Sequence, residues 1–140
     1  MRSARRPRHD PPRVLVAEDD RDMLDMLVEI LGLEGYDVQP ATDGGRLLVA
    51  LTNSVKCGYE EGVDLLISDI RMPVCSGIEI VENLRAAHCL VPVILITGLV
   101  DERTKIQAAR LGAVLLEKPF AFDALKNAMI ELLGMSGEVQ

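Results

Sequence analysis

The sequence predicts an α/β fold, a parallel sheet covered by helices on both faces, and three observations carry that prediction. Strand-like and helix-like segments alternate five times along the chain, the pattern that links parallel strands through helical crossovers. The strand-like runs VLV (14–16), LLI (65–67) and VILI (93–96) are unbroken in apolar residues, as strands buried on both faces must be. Most of the intervening segments repeat apolar residues every three or four positions, which gives a helix one face to lay on the sheet.

Taken in order, residues 13–17 (RVLVA) form the first strand, halted by Glu18-Asp19-Asp20. Residues 21–33 set Met23, Leu24, Leu27, Ile30 and Leu31 at helical spacing, with Asp20 as the N-cap and Gly35 as the breaker. Residues 36–41 are a weaker second strand, and Gly44-Gly45 precede a helix over 46–51. Residues 52–62 (TNSVKCGYEEG) read as a loop. The third strand is 63–68 (VDLLIS), stopped by Asp69. A turn over 73–77 follows, then an amphipathic helix over 78–87 through Ile78, Val81 and Leu84. The fourth strand is 92–97 (PVILIT), the next helix 101–111 is polar, and 114–117 is a short fifth strand. After Lys118-Pro119 a last helix over 121–133 carries Leu125, Met129 and Leu132 on one face.

Composition narrows the class of protein. With 140 residues, one domain is expected, and 49% apolar residues exclude general disorder. Aromatics are 3% and Trp is absent, so the core must be aliphatic. The net charge of −7 is divided unevenly: residues 1–13 hold five arginines against Asp10, while residues 14–140 hold ten basic and twenty-one acidic groups. An acidic body repels phosphate backbones, so no nucleic-acid contact is expected through it. The boundaries expected are a flexible basic leader over 1–12, one domain over 13–134 and a tail over 135–140. Cys57, Cys75 and Cys89 form no CxxC pair; with no signal peptide, they point to reduced thiols and a cytoplasmic location. No apolar run approaches the ~20 residues of a membrane span. His9 and His88 have no partner pattern and read as surface groups.

In open parallel sheets, ligands bind outside the carboxyl ends of the strands. Glu18, Asp19 and Asp20 follow the first strand, Asp69 and then Arg71 the third, Thr97-Gly98 end the fourth, and Lys118-Pro119 follow the fifth. Carboxylates, a hydroxyl and an ammonium therefore meet at one edge. Crowded carboxylates repel one another, and a divalent cation with a preference for oxygen, Mg²⁺, removes the difficulty. Beside it a carboxylate is able to attack phosphorus and form an acyl phosphate. Each residue also has a plainer reading. Asp69 is a possible turn former, Glu18-Asp19-Asp20 an acidic cluster at a helix N-terminus, Thr97 a strand residue and Lys118 a solvated charge. Their occurrence together, in register, favours the site.

The set EDD at 18–20, DIRMP at 69–73, TG at 97–98 and KPF at 118–120 resembles the response-regulator receiver domain of two-component signalling, the CheY-like superfamily, over roughly residues 13–133. The resemblance implies a flavodoxin-like (βα)5 fold with sheet order 2-1-3-4-5. It implies Asp69 as phosphoacceptor, and Mg²⁺ held by Asp19, Asp69, the backbone carbonyl of Arg71 and, through water, Glu18. Thr97 and Lys118 would contact the phosphoryl group, and the Lys118-Pro119 bond would be cis. The implied partners are a histidine kinase or histidine phosphotransfer protein upstream and a protein target downstream. With about twelve residues before the first strand and seven after the last helix, a stand-alone regulator is expected.

Three features depart from the family pattern. Leu115 stands where an aromatic residue usually precedes the lysine by three positions, Gly98 stands where Ala is commoner, and residues 52–62 are longer than the usual connection. Arg71 and Leu99, which flank the site, are poor groups for orienting a hydrolytic water, so slow self-dephosphorylation is expected. Two other functions compete: an interaction module on a receiver fold that ignores phosphorylation, and an aspartyl-phosphate phosphatase. The phosphatase usually has a second Asp two residues after the nucleophile, where this chain has Arg71.

Overall fold

The computed structural model describes residues 9–57 and 62–134. Strands β1 (Arg13–Ala17), β2 (Asp37–Ala41), β3 (Leu65–Asp69), β4 (Val93–Thr97) and β5 (Val114–Glu117) form one sheet of order β2-β1-β3-β4-β5, with every neighbour parallel. Helices α1 (Arg21–Leu33), α2 (Gly44–Cys57), α3 (Gly77–Ala86), α4 (Glu102–Arg110) and α5 (Phe122–Leu133) alternate with them. This is the flavodoxin-like (βα)5 topology.

The apolar runs serve two layers at once, because successive side chains of a strand point to opposite faces. Leu15, Leu66, Val93 and Leu95 pack with Leu47 and Leu51 of α2, Val81 and Leu84 of α3, and Ala108 of α4. Val14, Val16, Leu65, Ile67, Ile94 and Ile96 pack with Leu24, Leu27 and Leu31 of α1 and Leu125, Met129 and Leu133 of α5. Every residue of β3 and β4 is buried. At about 1.5–3 kcal/mol per buried aliphatic side chain, these two layers fix strand register and hence the positions of the strand ends.

The helix ends are specified locally. Asp20 caps α1, its side chain accepting from the backbone N–H of Asp22 and Met23. Ser76 and Glu79 form a reciprocal capping box on α3, and Asp101 caps α4 through Thr104 N–H at 2.8 Å. Arg85, in the last turn of α3, donates to three backbone carbonyls: Leu111 at 2.8 Å, and Cys89 and Val91 at 2.9 Å each. One guanidinium thus ties the end of α3, the approach to β4 and the C-cap of α4.

Several expectations need correction. Helix α2 begins at Gly44 and continues through Cys57, so residues 52–57 are not loop; residues 58–61 lie outside the described residues. Thr, Asn and Ser are weak helix formers, but the packed turn around Leu47 and Leu51 carries the helix past them. Asp69 is the last residue of β3 rather than its stop signal. Leu133, not Leu132, completes the fully buried stripe of α5, with Leu132 half-buried beside it. His9 has a partner: its Nδ1 lies 3.0 Å from Oδ2 of Asp64, an oxygen that also accepts from Arg13 N–H at 2.9 Å. Cys75 and Cys89 are free thiols, both half-buried. Among the described residues, no helix is long and apolar enough to cross a membrane.

Candidate functional site

The carboxyl ends of β1, β3, β4 and β5 open on one edge, and backbone hydrogen bonds continue the sheet just past them. Glu18 N–H donates to Ala41 O, Ile70 N–H to Ile96 O, and Lys118 N–H to Thr97 O at 2.8 Å. These bonds place Glu18, Asp69, Thr97 and Lys118 side by side.

The side chains then converge. Lys118 Nζ donates to Asp69 Oδ2 at 3.1 Å and lies 3.0 Å from Glu18 Oε1. The Glu18 contact is an ion pair without hydrogen-bond alignment, so Oε1, buried, has no hydrogen bond. The other oxygen of Glu18 accepts from Asp20 N–H at 3.1 Å. Glu18 is only 1% exposed and Asp69 6%. Burial, with Asp69 alongside, pushes the Glu18 carboxyl up from 4.5 to about 7 against the opposing pull of Asp20 N–H and Lys118. Burial works against the charge of Lys118 too, but its contacts with Glu18 and Asp69 outweigh that and hold its pKa above the ordinary lysine value.

Two buried carboxylates, one carrying an unsatisfied oxygen, are an electrostatic deficit that a single ammonium does not remove. Glu18, Asp19 and Asp69 each offer an oxygen, and the three lie within 4.8 Å of one another. Asp19 is exposed, at the mouth of the cluster. The donors are all hard oxygens, the set Mg²⁺ takes. The residues therefore fit that cation.

The loop after β3 returns on itself. Arg71 N–H donates to Asp69 Oδ1 at 3.2 Å, with the Arg71 side chain exposed. Gly77 N–H donates to Ile70 O at 2.9 Å, and a Cβ on Gly77 would lie 2.5 Å from Asp69 O. Gly77 is thus part of the site's framework. Its sequence signal is only a glycine at the end of a turn, which says nothing of the strand it must approach.

Thr97 is 2% exposed, at the same edge. Its hydroxyl is turned to its own chain, accepting from Leu99 N–H at 3.1 Å and donating to Leu99 O at 3.3 Å. The Leu99 side chain is 55% exposed. The Lys118-Pro119 peptide is cis. Leu115 packs half-buried in the layer shared with Leu111 and α4, whereas Val114 and Leu116 face the α1/α5 layer; Leu115 is therefore the residue that stands on the α4 side of β5. A Cβ on Gly98 would touch nothing within 4 Å, so glycine there imposes no packing difference from alanine.

The sequence profile of the family described as the response regulator receiver domain matches residues 14–130, and the chain belongs to that family. Among curated relatives, the transcriptional regulatory protein CpxR of Klebsiella pneumoniae is 37% identical over 109 residues, covering 77% of this chain and 43% of that protein. The transcriptional regulatory protein FixJ of Bradyrhizobium diazoefficiens is 37% identical over 119 residues, covering 84% of this chain and 54% of its own length. The chain spans about half the length of these relatives. Among solved structures, the receiver domain of the Francisella response regulator 1452 superposes with a TM-score of 0.76 at 29% identity, covering 89% of this chain and 99% of that one. The response regulator TrrA of Thermotoga maritima, solved in complex with Mg²⁺–BeF, gives 0.72 at 30% identity over 87% of this chain and 99% of its own. The chain is thus a receiver domain homologous to response regulators of two-component signalling, a class of phosphoacceptor switches rather than enzymes in the ordinary sense.

Proposed function

We propose that Asp69 accepts a phosphoryl group in a reaction that requires Mg²⁺, and that the resulting change in the domain is read by a protein partner. The observation that carries this reading is the pair of buried carboxylates, Glu18 and Asp69, bridged by half-buried Lys118, with one Glu18 oxygen lacking a hydrogen bond. A carboxylate oxygen of Asp69 attacks the phosphorus, an acyl–phosphate bond forms, and the bond from phosphorus to the donor breaks. The leaving group is an imidazole when the donor is a phosphohistidine of a kinase or phosphotransfer protein, and acetate when it is acetyl phosphate. Glu18, Asp19, Asp69 and the Arg71 carbonyl would hold the cation, which offsets the charge of the transferring phosphoryl oxygens. Lys118 stays paired with the new phosphoryl group, replacing its contact to the free carboxylate.

Thr97 has one hydroxyl proton. In the unmodified domain it is spent on Leu99 O; given to a phosphoryl oxygen, it leaves the turn at 97–99 held only by Leu99 N–H on the Thr97 oxygen. Cytoplasmic action fits the free thiols of Cys75 and Cys89. Leu115 favours a second reading, an interaction module that does not depend on phosphorylation, since no aromatic side chain is there to rotate.

One experiment separates the two. Incubated with acetyl phosphate and Mg²⁺, the wild type should gain one phosphoryl mass, and Asp69→Asn and Asp19→Ala should not. No adduct on the wild type, or an equal adduct on Asp69→Asn, sinks the phosphoacceptor reading.

A further inference from the structure

We infer that Gly44, at the start of α2, is a positioning residue for the cation: it braces the loop that carries the Arg71 carbonyl. This rests on the reading of residues 69–71 as part of the metal site.

The loop between Asp69 and Gly77 is closed at its base by Gly77 N–H on Ile70 O. Its far end is Pro73-Val74-Cys75, and there it meets α2. The N–H of Gly44, in the first turn of α2, has no partner within its helix; it donates to Pro73 O at 3.2 Å. Cys75 N–H donates to the same oxygen at 2.9 Å, so both lone pairs of that carbonyl are engaged. A bond from residue 75 back to 73 makes a γ-turn around Val74, whose φ is 78°. This is the rare, left-handed form of that turn, in a region that β-branched residues avoid. Val74 is also 83% exposed, so burial of its side chain does not offset the strain. The bonds to Pro73 O are what hold it.

Close approach completes the brace. Gly44 is buried, and a Cβ on it would overlap Cys75 O and lie 2.9 Å from Cys75 N. That contact is with backbone, not with a side-chain tip able to swing away. An alanine at 44 must push the loop off α2, and the loop is only three residues from Arg71 to Val74. Gly45 differs: its Cβ would meet Asp43 Oδ1 at 3.2 Å and Val74 Cγ1 at 3.5 Å, contacts that side chains absorb.

The test measures Mg²⁺ binding to the unphosphorylated protein by calorimetry, alongside thermal melts. Gly44→Ala should weaken Mg²⁺ about tenfold or more, in the range seen when a ligand's supporting group is lost, and Gly45→Ala should leave it within twofold. In Gly44→Ala/Val74→Gly, the glycine at 74 frees the loop to move; melting temperature should recover while Mg²⁺ affinity stays low, a split that a purely structural role does not produce. A third measurement needs no variant. Coupling is reciprocal, so saturating Mg²⁺ should slow hydrogen exchange at the Gly44 amide of the wild type about tenfold. Wild-type Mg²⁺ affinity in a folded Gly44→Ala or in the double variant, or Gly44 exchange indifferent to Mg²⁺, overturns the brace alone. Failure of the wild type to bind Mg²⁺ at all overturns the metal-site reading, and the brace with it.

Discussion

Two buried carboxylates stand at opposite ends of the sheet, and they are treated differently. At the amino edge, Asp64 is 3% exposed, and its Oδ2 accepts from Arg13 N–H and meets the His9 ring; its own N–H donates to Arg13 O at 2.8 Å. At the carboxyl edge, Glu18 is 1% exposed, pushed to about 7, and retains an oxygen without a hydrogen bond. Burial alone does not mark function. Asp64 is satisfied by the chain around it and holds the entry to β1 in place. Glu18 is ion-paired with Lys118 yet keeps one buried oxygen without a hydrogen bond, at the edge where Asp19 and Asp69 also offer oxygens.

The comparison can be broken from either side. The largest expected effect is Glu18→Gln. Calorimetry should find Mg²⁺ bound about 10–100-fold more weakly, while the melting temperature at pH 8 without Mg²⁺ stays level, because the amide keeps the Asp20 contact and removes a charge that burial disfavours, which offsets the lost ion pair with Lys118. A clear fall in melting temperature there would mean that Glu18 is structural, like Asp64. Next, Asp64→Ala should cost about 1–3 kcal/mol in urea unfolding by leaving its donors unpaired, with Mg²⁺ affinity and acetyl phosphate labelling unchanged. If labelling is lost in a folded Asp64→Ala, the two edges are not independent.

Smaller effects sharpen the picture. Asp69 is nearly buried while Arg71 and Leu99 beside it are exposed, so both positions are open to groups that hold a water. Arg71→Asn with Leu99→Glu should shorten the acyl-phosphate lifetime several-fold, followed by loss of the phosphoryl mass after donor removal. An unchanged lifetime would mean that these side chains do not govern hydrolysis. The smallest is His9→Ala, which removes one part-exposed contact to Asp64 and should lower stability by about 0.5–1.5 kcal/mol. No change in the urea midpoint would show that Arg13 N–H suffices to hold that carboxylate.

Much of this was legible in the sequence because it depends on local pattern. VLV, LLI and VILI announce buried strands, and the rule of strand ends then gathers Glu18, Asp19, Asp69, Thr97 and Lys118 without knowledge of any distance. What escaped depends on contacts between distant residues. His9 and Asp64 are 55 positions apart, and nothing near either one names the other. The run Thr52-Asn53-Ser54 reads as loop by propensity, and only packing of the turn before it makes it helix. The fit of Gly44 against Cys75 O is a matter of backbone approach, for which a glycine pair before a helix gives no more than a hint. Which layer Leu115 joins depends on the packing of its neighbours, since Val114 and Leu116 turn to the opposite face of β5.

Arg85 gives the molecule a mechanical asymmetry. Its bond to Leu111 O pins the C-terminal end of α4, and Ala108, near that same end, is the one residue of the helix that is fully buried. The other end adjoins the turn at 97–99, which a single hydroxyl closes. Helix α4 therefore has its fulcrum at Ala108–Leu111, and its N-terminal arm, capped by Asp101, follows the turn at 97–99. Six residues from Ala108 back to Glu102, at 1.5 Å each, make an arm of about 9 Å, so a swing of ~10° carries its end roughly 1.6 Å. A lysine at 85 would keep the charge and loosen the fulcrum, since an ammonium lacks the planar fork that reaches three separated carbonyls.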